Sequence, residues 1–131
     1  MGRLAAPVLI IEDDENIRSG FRAALEHEGY AVETAKNGRD ALAQLYRGLR
    51  PCIILMDLMM PVMNGFEFRQ AQLHDRDLAG IPLIAYSAVT SPWRVADQLK
   101  ANAYVEKPVA LERVLALVNE HCRDPKIPRG M

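Results

Sequence analysis

Four short apolar runs in this chain each lead to a polar residue with chemical potential. Glu12 and Asp13 follow Val8 to Ile11, Asp57 follows Cys52 to Met56, Ser87 follows Pro82 to Tyr86, and Lys107 comes just after Ala103 to Val105. Crowded carboxylates repel one another, so three of them in one place require a proton or a cation. A hard divalent ion suits a donor set made only of oxygens, without His or Cys, and Mg²⁺ is commonly held by one or two carboxylates together with a phosphate. Lys107 adds a mobile point charge and Ser87 a hydroxyl, both able to meet phosphoryl oxygens. Taken singly, Lys107 also reads as a solvated loop charge, and Asp14 as the N-cap of a helix. Asp57 has no such simple reading, because a carboxylate that closes a strand of Ile and Leu needs partners.

The elements around these residues follow from periodicity. Short Val- and Ile-rich runs alternate with longer amphipathic stretches, the pattern of βαβ units on a parallel sheet buried on both faces. The first strand spans Val8 to Ile11. The helix after it presents Ile17, Phe21, Ala24 and Leu25 on one face and stops at Gly29. Ala31 to Ala35 makes a shorter second strand, and Asn37-Gly38 turns into a helix carrying Ala41, Leu42 and Leu45. Pro51 opens the third strand, Cys52 to Met56, which ends on Asp57. Pro61 and Asn64-Gly65 mark a loop, in which Met59, Met60, Val62 and Met63 are expected to pack, and a helix over Phe66 to Asp75 follows. Pro82 to Tyr86 is the fourth strand, ending at Ser87, with a fourth helix from near Pro92 carrying Val95 and Leu99. A weak fifth strand spans Ala103 to Val105. The last helix places Leu111, Val114, Leu115 and Val118 toward the core and ends near Cys122. In an open doubly wound sheet, ligands bind beyond the carboxyl ends of the strands, so Glu12, Asp13, Asp57, Ser87 and Lys107 are expected to converge.

The 131 residues, 50% of them hydrophobic, suffice for one packed domain. Its expected limits are 7–122, with an irregular tail or linker stump at 123–131. With 16 basic and 17 acidic residues and a formal charge of −1, no global field draws it to nucleic acid or an anionic membrane. Cys52 and Cys122 lie far apart, outside any metal-ligand spacing, and are expected to be reduced structural thiols. Neither a secretory signal nor a membrane-spanning run is recognised, so a cytoplasmic location is expected.

Nearly the whole chain resembles the receiver domains of two-component response regulators. The resemblance rests on the acidic pair Glu12-Asp13, on Asp57 ending strand three, on Met60-Pro61 with Gly65, on Ser87-Ala88, on Lys107-Pro108, and on Tyr104 three residues before the lysine. It implies a flavodoxin-like α/β fold, (βα)5 with strand order 2-1-3-4-5. It further implies that Asp57 accepts a phosphoryl group from a histidine kinase or phosphotransfer protein, with Mg²⁺ as cofactor. The ion's ligands would then be Asp13, Asp57 and the Met59 backbone carbonyl, with Glu12 acting mainly through water. Ser87, Lys107 and Tyr104 would bind the phosphoryl group or switch. The output face would be helix four, strand five and helix five, open to a downstream protein or to a second phosphorylated copy. Met59 and Val89, two residues beyond the acceptor and the hydroxyl, would set the phosphoryl lifetime. The chain would be a signalling domain acting only on its own phosphorylation, and it reads as a stand-alone regulator. Departures from the family pattern are Glu at 12, Ser at 87 and Val109 after Lys-Pro.

Two other functions stay open at this stage. A phosphorylation-independent pseudo-receiver would usually have lost an acid, the acceptor or the lysine. A haloacid-dehalogenase-type phosphatase would place a second acid two residues after its nucleophile, where this chain has Met59. Trp93 reads as a partner anchor or a half-buried cap, and His27, His74 and His121 as solvated residues.

Overall fold

In the computed structural model, residues 6–87 and 97–122 are described. The chain runs β1 (Val8–Ile11), α1 (Glu15–His27), β2 (Val32–Ala35), α2 (Gly38–Tyr46), β3 (Ile53–Asp57), α3 (Gly65–His74), β4 (Leu83–Ser87), β5 (Ala103–Glu106) and a last helix, α4 (Leu111–Cys122). The strands form one parallel sheet in the order β2-β1-β3-β4-β5, with Val8 opposite Val32 and Ile53, and Asp57 opposite Tyr86. The doubly wound fold expected from the sequence is thus present, with strand boundaries within a residue or so of those expected.

Because side chains alternate across a strand, each strand feeds two cores. Leu9, Ile11, Ile54, Met56, Leu83 and Ala85 pack with Ala41, Leu42, Leu45 and Phe68 of α2 and α3. Val8, Ile10, Ile53, Leu55, Ile84 and Tyr86 pack with Phe21 and Leu25 of α1 and Val114, Leu117 and Val118 of α4. Burial on both faces is why β1 and β3 read as unbroken apolar runs.

Local signals place the helices. Asp14 caps α1, accepting from the backbone N–H of Asn16 at 2.9 Å and Ile17 at 3.1 Å. Beyond its C-terminus, Gly29 takes φ 95°, while the Gly29 and Tyr30 amides return to Glu26 and Leu25 carbonyls. That double closure at a left-handed residue is what glycine permits at a helix end. Asn64 and Glu67 form a capping box at the start of α3, each side chain accepting from the other's backbone N–H at 2.9 Å.

Several expectations need correction. Cys52 and Cys122 form a disulfide, with Cα atoms 5.2 Å apart across a sequence separation of 70; folding brings the entry of β3 beside the end of α4, so sequence distance misled. Ile17 and Leu111, expected on core faces, are each 38% exposed, and in α4 Leu117 takes the buried place assigned to Leu115, which is half-buried. A stripe of period 3.6 spans more of the helix surface than the sheet covers. Met59 and Val62 do not pack in their loop: both are 67% exposed. The expected fourth helix is seen at 97–99, where Leu99 is buried, while its start, Val95 and Trp93 lie outside the described residues, as do Val89 and 123–131.

Arg69 is a buried cation absent from the sequence reading. Its guanidinium donates to the carbonyls of Leu99 at 2.9 Å and Lys100 at 2.6 Å, and to Gln72 Oε1 at 2.7 Å. Helix-end carbonyls thus stand in for a carboxylate partner, tying α3 to residues 99–100. Burial lowers the Arg69 pKa from its ordinary value.

Candidate functional site

The carboxyl ends of β1 and β3 and the turn after β5 bring the expected residues together. Glu12, Asp13 and Asp57 each offer a carboxylate oxygen within 4.8 Å of the others. Like charges at that distance repel by about 3 kcal/mol per pair at an effective dielectric of about 20. Lys107 relieves part of this, its Nζ lying 3.4 Å from Asp57 Oδ2. Asp57 is 3% exposed at the end of β3, and its Oδ1 accepts from the Met59 backbone N–H at 3.0 Å. Asp13 is exposed, so the cluster has a buried side and an open side. Hard oxygen donors around a compact gap, with neither nitrogen nor sulfur among them, fit a small divalent cation.

Glu12 is the more confined acid. It is 1% exposed, and both its oxygens are engaged: the Tyr86 hydroxyl donates to Oε1 at 2.5 Å, and the Asp14 N–H donates to Oε2 at 3.0 Å. Its backbone carbonyl accepts from Arg18 Nη1 at 2.8 Å, which fixes the turn entering α1. Burial raises the Glu12 pKa above the carboxylate norm, the hydrogen bonds from Tyr86 and Asp14 oppose that shift, and the Asp57 charge adds to it. Burial likewise pushes the Tyr86 phenol far up, with the Glu12 carboxylate contributing, so the hydroxyl remains a donor.

Ser87 is 1% exposed at the end of β4. Its carbonyl accepts from the Lys107 N–H at 2.9 Å and from the Tyr104 hydroxyl at 3.2 Å, joining the strand-four hydroxyl residue to the lysine and the aromatic residue of β5. The Lys107–Pro108 peptide is cis. Beside Lys107, a cavity of about 290 Å³ is lined by Ile17, Phe21, Tyr86, Pro108 and Val109. A larger one, about 430 Å³, lies away from the acids between α3 and residues 98–100.

Tyr86 is the residue that the sequence reading passed over. The available signal was strand parity: Glu12 continues the Val8-Ile10 face of β1 and Tyr86 the Ile84 face of β4, both toward α1 and α4.

A family model described as the response regulator receiver domain matches residues 8–119. The chain belongs to that family. Among curated relatives, it is 39% identical over 111 residues to response regulator MprA of Mycolicibacterium vanbaalenii, covering 83% of this chain and 47% of that protein. To response regulator MprA of Mycobacterium leprae it is 36% identical over 121 residues, 91% of this chain and 52% of that one. The chain therefore spans about half the length of the curated relatives it matches. Among solved structures, the chemotaxis protein CheY4 of Vibrio cholerae superposes with a TM-score of 0.80 at 33% identity, over 89% of this chain and 98% of that one. The signal receiver domain of a Syntrophus aciditrophicus histidine kinase gives 0.80 at 27% identity, over 97% and 100%. The phosphatase and pseudo-receiver readings are not favoured by these likenesses. Among the described residues, no helix is long and apolar enough to cross a membrane.

Proposed function

We propose that Asp57 is the phosphoacceptor of this receiver domain. The observation that carries this is the meeting of Glu12, Asp13 and Asp57 oxygens within 4.8 Å, with Lys107 Nζ 3.4 Å from Asp57. An Asp57 carboxylate oxygen attacks the phosphorus of a phosphohistidine on a histidine kinase or phosphotransfer protein. The P–N bond breaks, the imidazole leaves with its electron pair, and an aspartyl phosphate forms. Asp13, Asp57 and the Met59 carbonyl would hold Mg²⁺ directly, with Glu12 acting through water. When bound, the ion supplies charge neutralisation for the phosphoryl oxygens. Lys107 would add its charge to the same oxygens, and its approach to Asp57 is already made in the unphosphorylated chain. Ser87 donates its hydroxyl to them.

Switching follows from the links among these groups. Movement of Ser87 toward the phosphoryl group disturbs the Ser87 carbonyl, which holds both Lys107 and Tyr104. The population of helical residues 97–99, β5 and α4 then shifts, and that face binds a downstream protein or a second copy. The chain acts as a signalling domain whose chemistry is confined to its own aspartate, and it works in the cytoplasm.

The test is phosphotransfer from a radiolabelled, autophosphorylated histidine kinase with Mg²⁺, followed by amide exchange with and without beryllofluoride. Transfer that EDTA abolishes, with altered protection at 97–106, is expected. No transfer from any phosphohistidine donor, or identical protection with and without beryllofluoride, overturns the reading.

A further inference from the structure

We propose that Tyr86 is a positioning residue for the acid pocket, its buried hydroxyl holding the Glu12 carboxylate beside Asp13 and Asp57, where a divalent cation would bind. The inference rests on the receiver reading above and assigns one more residue to its site.

Packing alone does not call for a hydroxyl at this position. The Tyr86 side chain is fully buried, its ring meets Phe21 edge-on with centroids 5.4 Å apart, and Lys107 Nζ lies 5.6 Å from its centroid. A phenylalanine would keep each of those contacts. The hydroxyl adds a polar atom in an apolar core, tolerable only with an acceptor, and Glu12 Oε1 at 2.5 Å is that acceptor. With the Asp14 N–H on Oε2, donors hold both oxygens of a side chain 1% exposed. Held this way, Glu12 cannot turn away from Asp13 and Asp57 when their mutual repulsion favours separation.

The pair is also matched in length. An aspartate at position 12 would fall short by about one C–C bond, about 1.5 Å, leaving the phenol without its acceptor. Glu at 12 and Tyr at 86 therefore form a unit, and the same ring lies under the lysine that faces Asp57. Tyr86 touches both the cation-binding side and the phosphoryl-binding side of the site. Hydrogen-bond partners that orient the groups of a metal site typically change metal affinity by about 10–100-fold when removed.

Tyr86→Phe tests this, because it removes the hydroxyl and keeps the ring. Calorimetric titration with Mg²⁺ alone is expected to show a dissociation constant about tenfold weaker than wild type. The Mg²⁺ concentration for half-maximal labelling by acetyl phosphate is expected to rise by the same factor. Glu12→Asp is expected to weaken Mg²⁺ strongly in the wild-type background and much less in Tyr86→Phe, because the acceptor it withdraws is no longer needed there. A merely structural role would lower the melting temperature in EDTA and leave the Mg²⁺ constant in place. An Mg²⁺ constant within twofold of wild type for Tyr86→Phe, or additive effects in the double variant, overturns the proposal. Wild-type protein that binds no Mg²⁺ and takes no phosphoryl group would instead overturn the receiver reading beneath it.

Discussion

Gly65 opens α3 against the strand that carries Asp57, and replacing it with alanine has a cost that follows from distances. A Cβ at this position would lie 2.7 Å from Leu58 Cδ2, 2.9 Å from Met56 Cε and 3.0 Å from Leu58 Cα. Favourable carbon–carbon contacts are about 3.5–4.0 Å. Met56 and Leu58 are fully buried, so their side chains have nowhere to swing, and the third contact is backbone. Overpacking of this kind costs about 1–3 kcal/mol, against which the gain in helix propensity and unfolded-state entropy is about 0.5–1 kcal/mol. The mid-range difference, a net loss of about 1 kcal/mol, lowers the melting temperature of a 131-residue chain by about 4 °C. Leu58 follows Asp57 directly, so the displacement also slows labelling by acetyl phosphate. Gly20→Ala is the control: it lies within α1 with nothing within 4 Å of its Cβ, and should raise the melting temperature by a few degrees. Thermal melts monitored by circular dichroism read both, and Gly65→Ala melting at or above wild type refutes the steric argument.

Three further outcomes are expected. In EDTA, a carboxyl whose folded pKa is raised binds its proton more tightly folded than unfolded, so Glu12 costs stability as pH rises through and just above the ordinary carboxylate range; Glu12→Gln should flatten that decline, and equal slopes would contradict it. Dithiothreitol should lower the melting point of wild type and leave Cys52→Ser unaffected, the loop of about 70 residues being worth up to about 4 kcal/mol, and insensitivity of wild type would deny the Cys52–Cys122 bond. Met59→Asn combined with Val89→Glu should lose its phosphoryl group faster than wild type in excess Mg²⁺, because polar side chains position the attacking water, whereas equal or slower decay would remove these positions from control of the lifetime.

What the sequence could disclose depended on whether a signal was local. Asp14 and Gly29 act within their own turns, so the cap and the stop of α1 were readable, and apolar runs buried on both faces marked the strands; Asn64 read only as part of a loop, and its capping box came with the structure. Asp57, Glu12, Asp13 and Lys107 were readable because each sits where a strand ends, and a parallel sheet gathers such ends at one edge. The Glu12–Tyr86 hydrogen bond joins residues 74 positions apart, and the Cys52–Cys122 bond spans 70; both require the register of the sheet before they can be inferred. Arg69 could not be singled out from sequence, since nothing in its own segment reveals that the carbonyls of Leu99 and Lys100 would meet it. The exposure of Ile17, Leu111, Met59 and Val62 was hidden for the converse reason: an apolar side chain signals burial only where another element covers it.

The most direct test of Asp57 as phosphoacceptor is the intact mass of the protein after incubation with acetyl phosphate and Mg²⁺, for wild type beside Asp57→Asn. Wild type is expected to gain a single phosphoryl group and to lose that gain in EDTA, while Asp57→Asn gains none, because an amide cannot serve as this nucleophile. An Asp57→Asn protein that labels as fully as wild type would contradict the assignment.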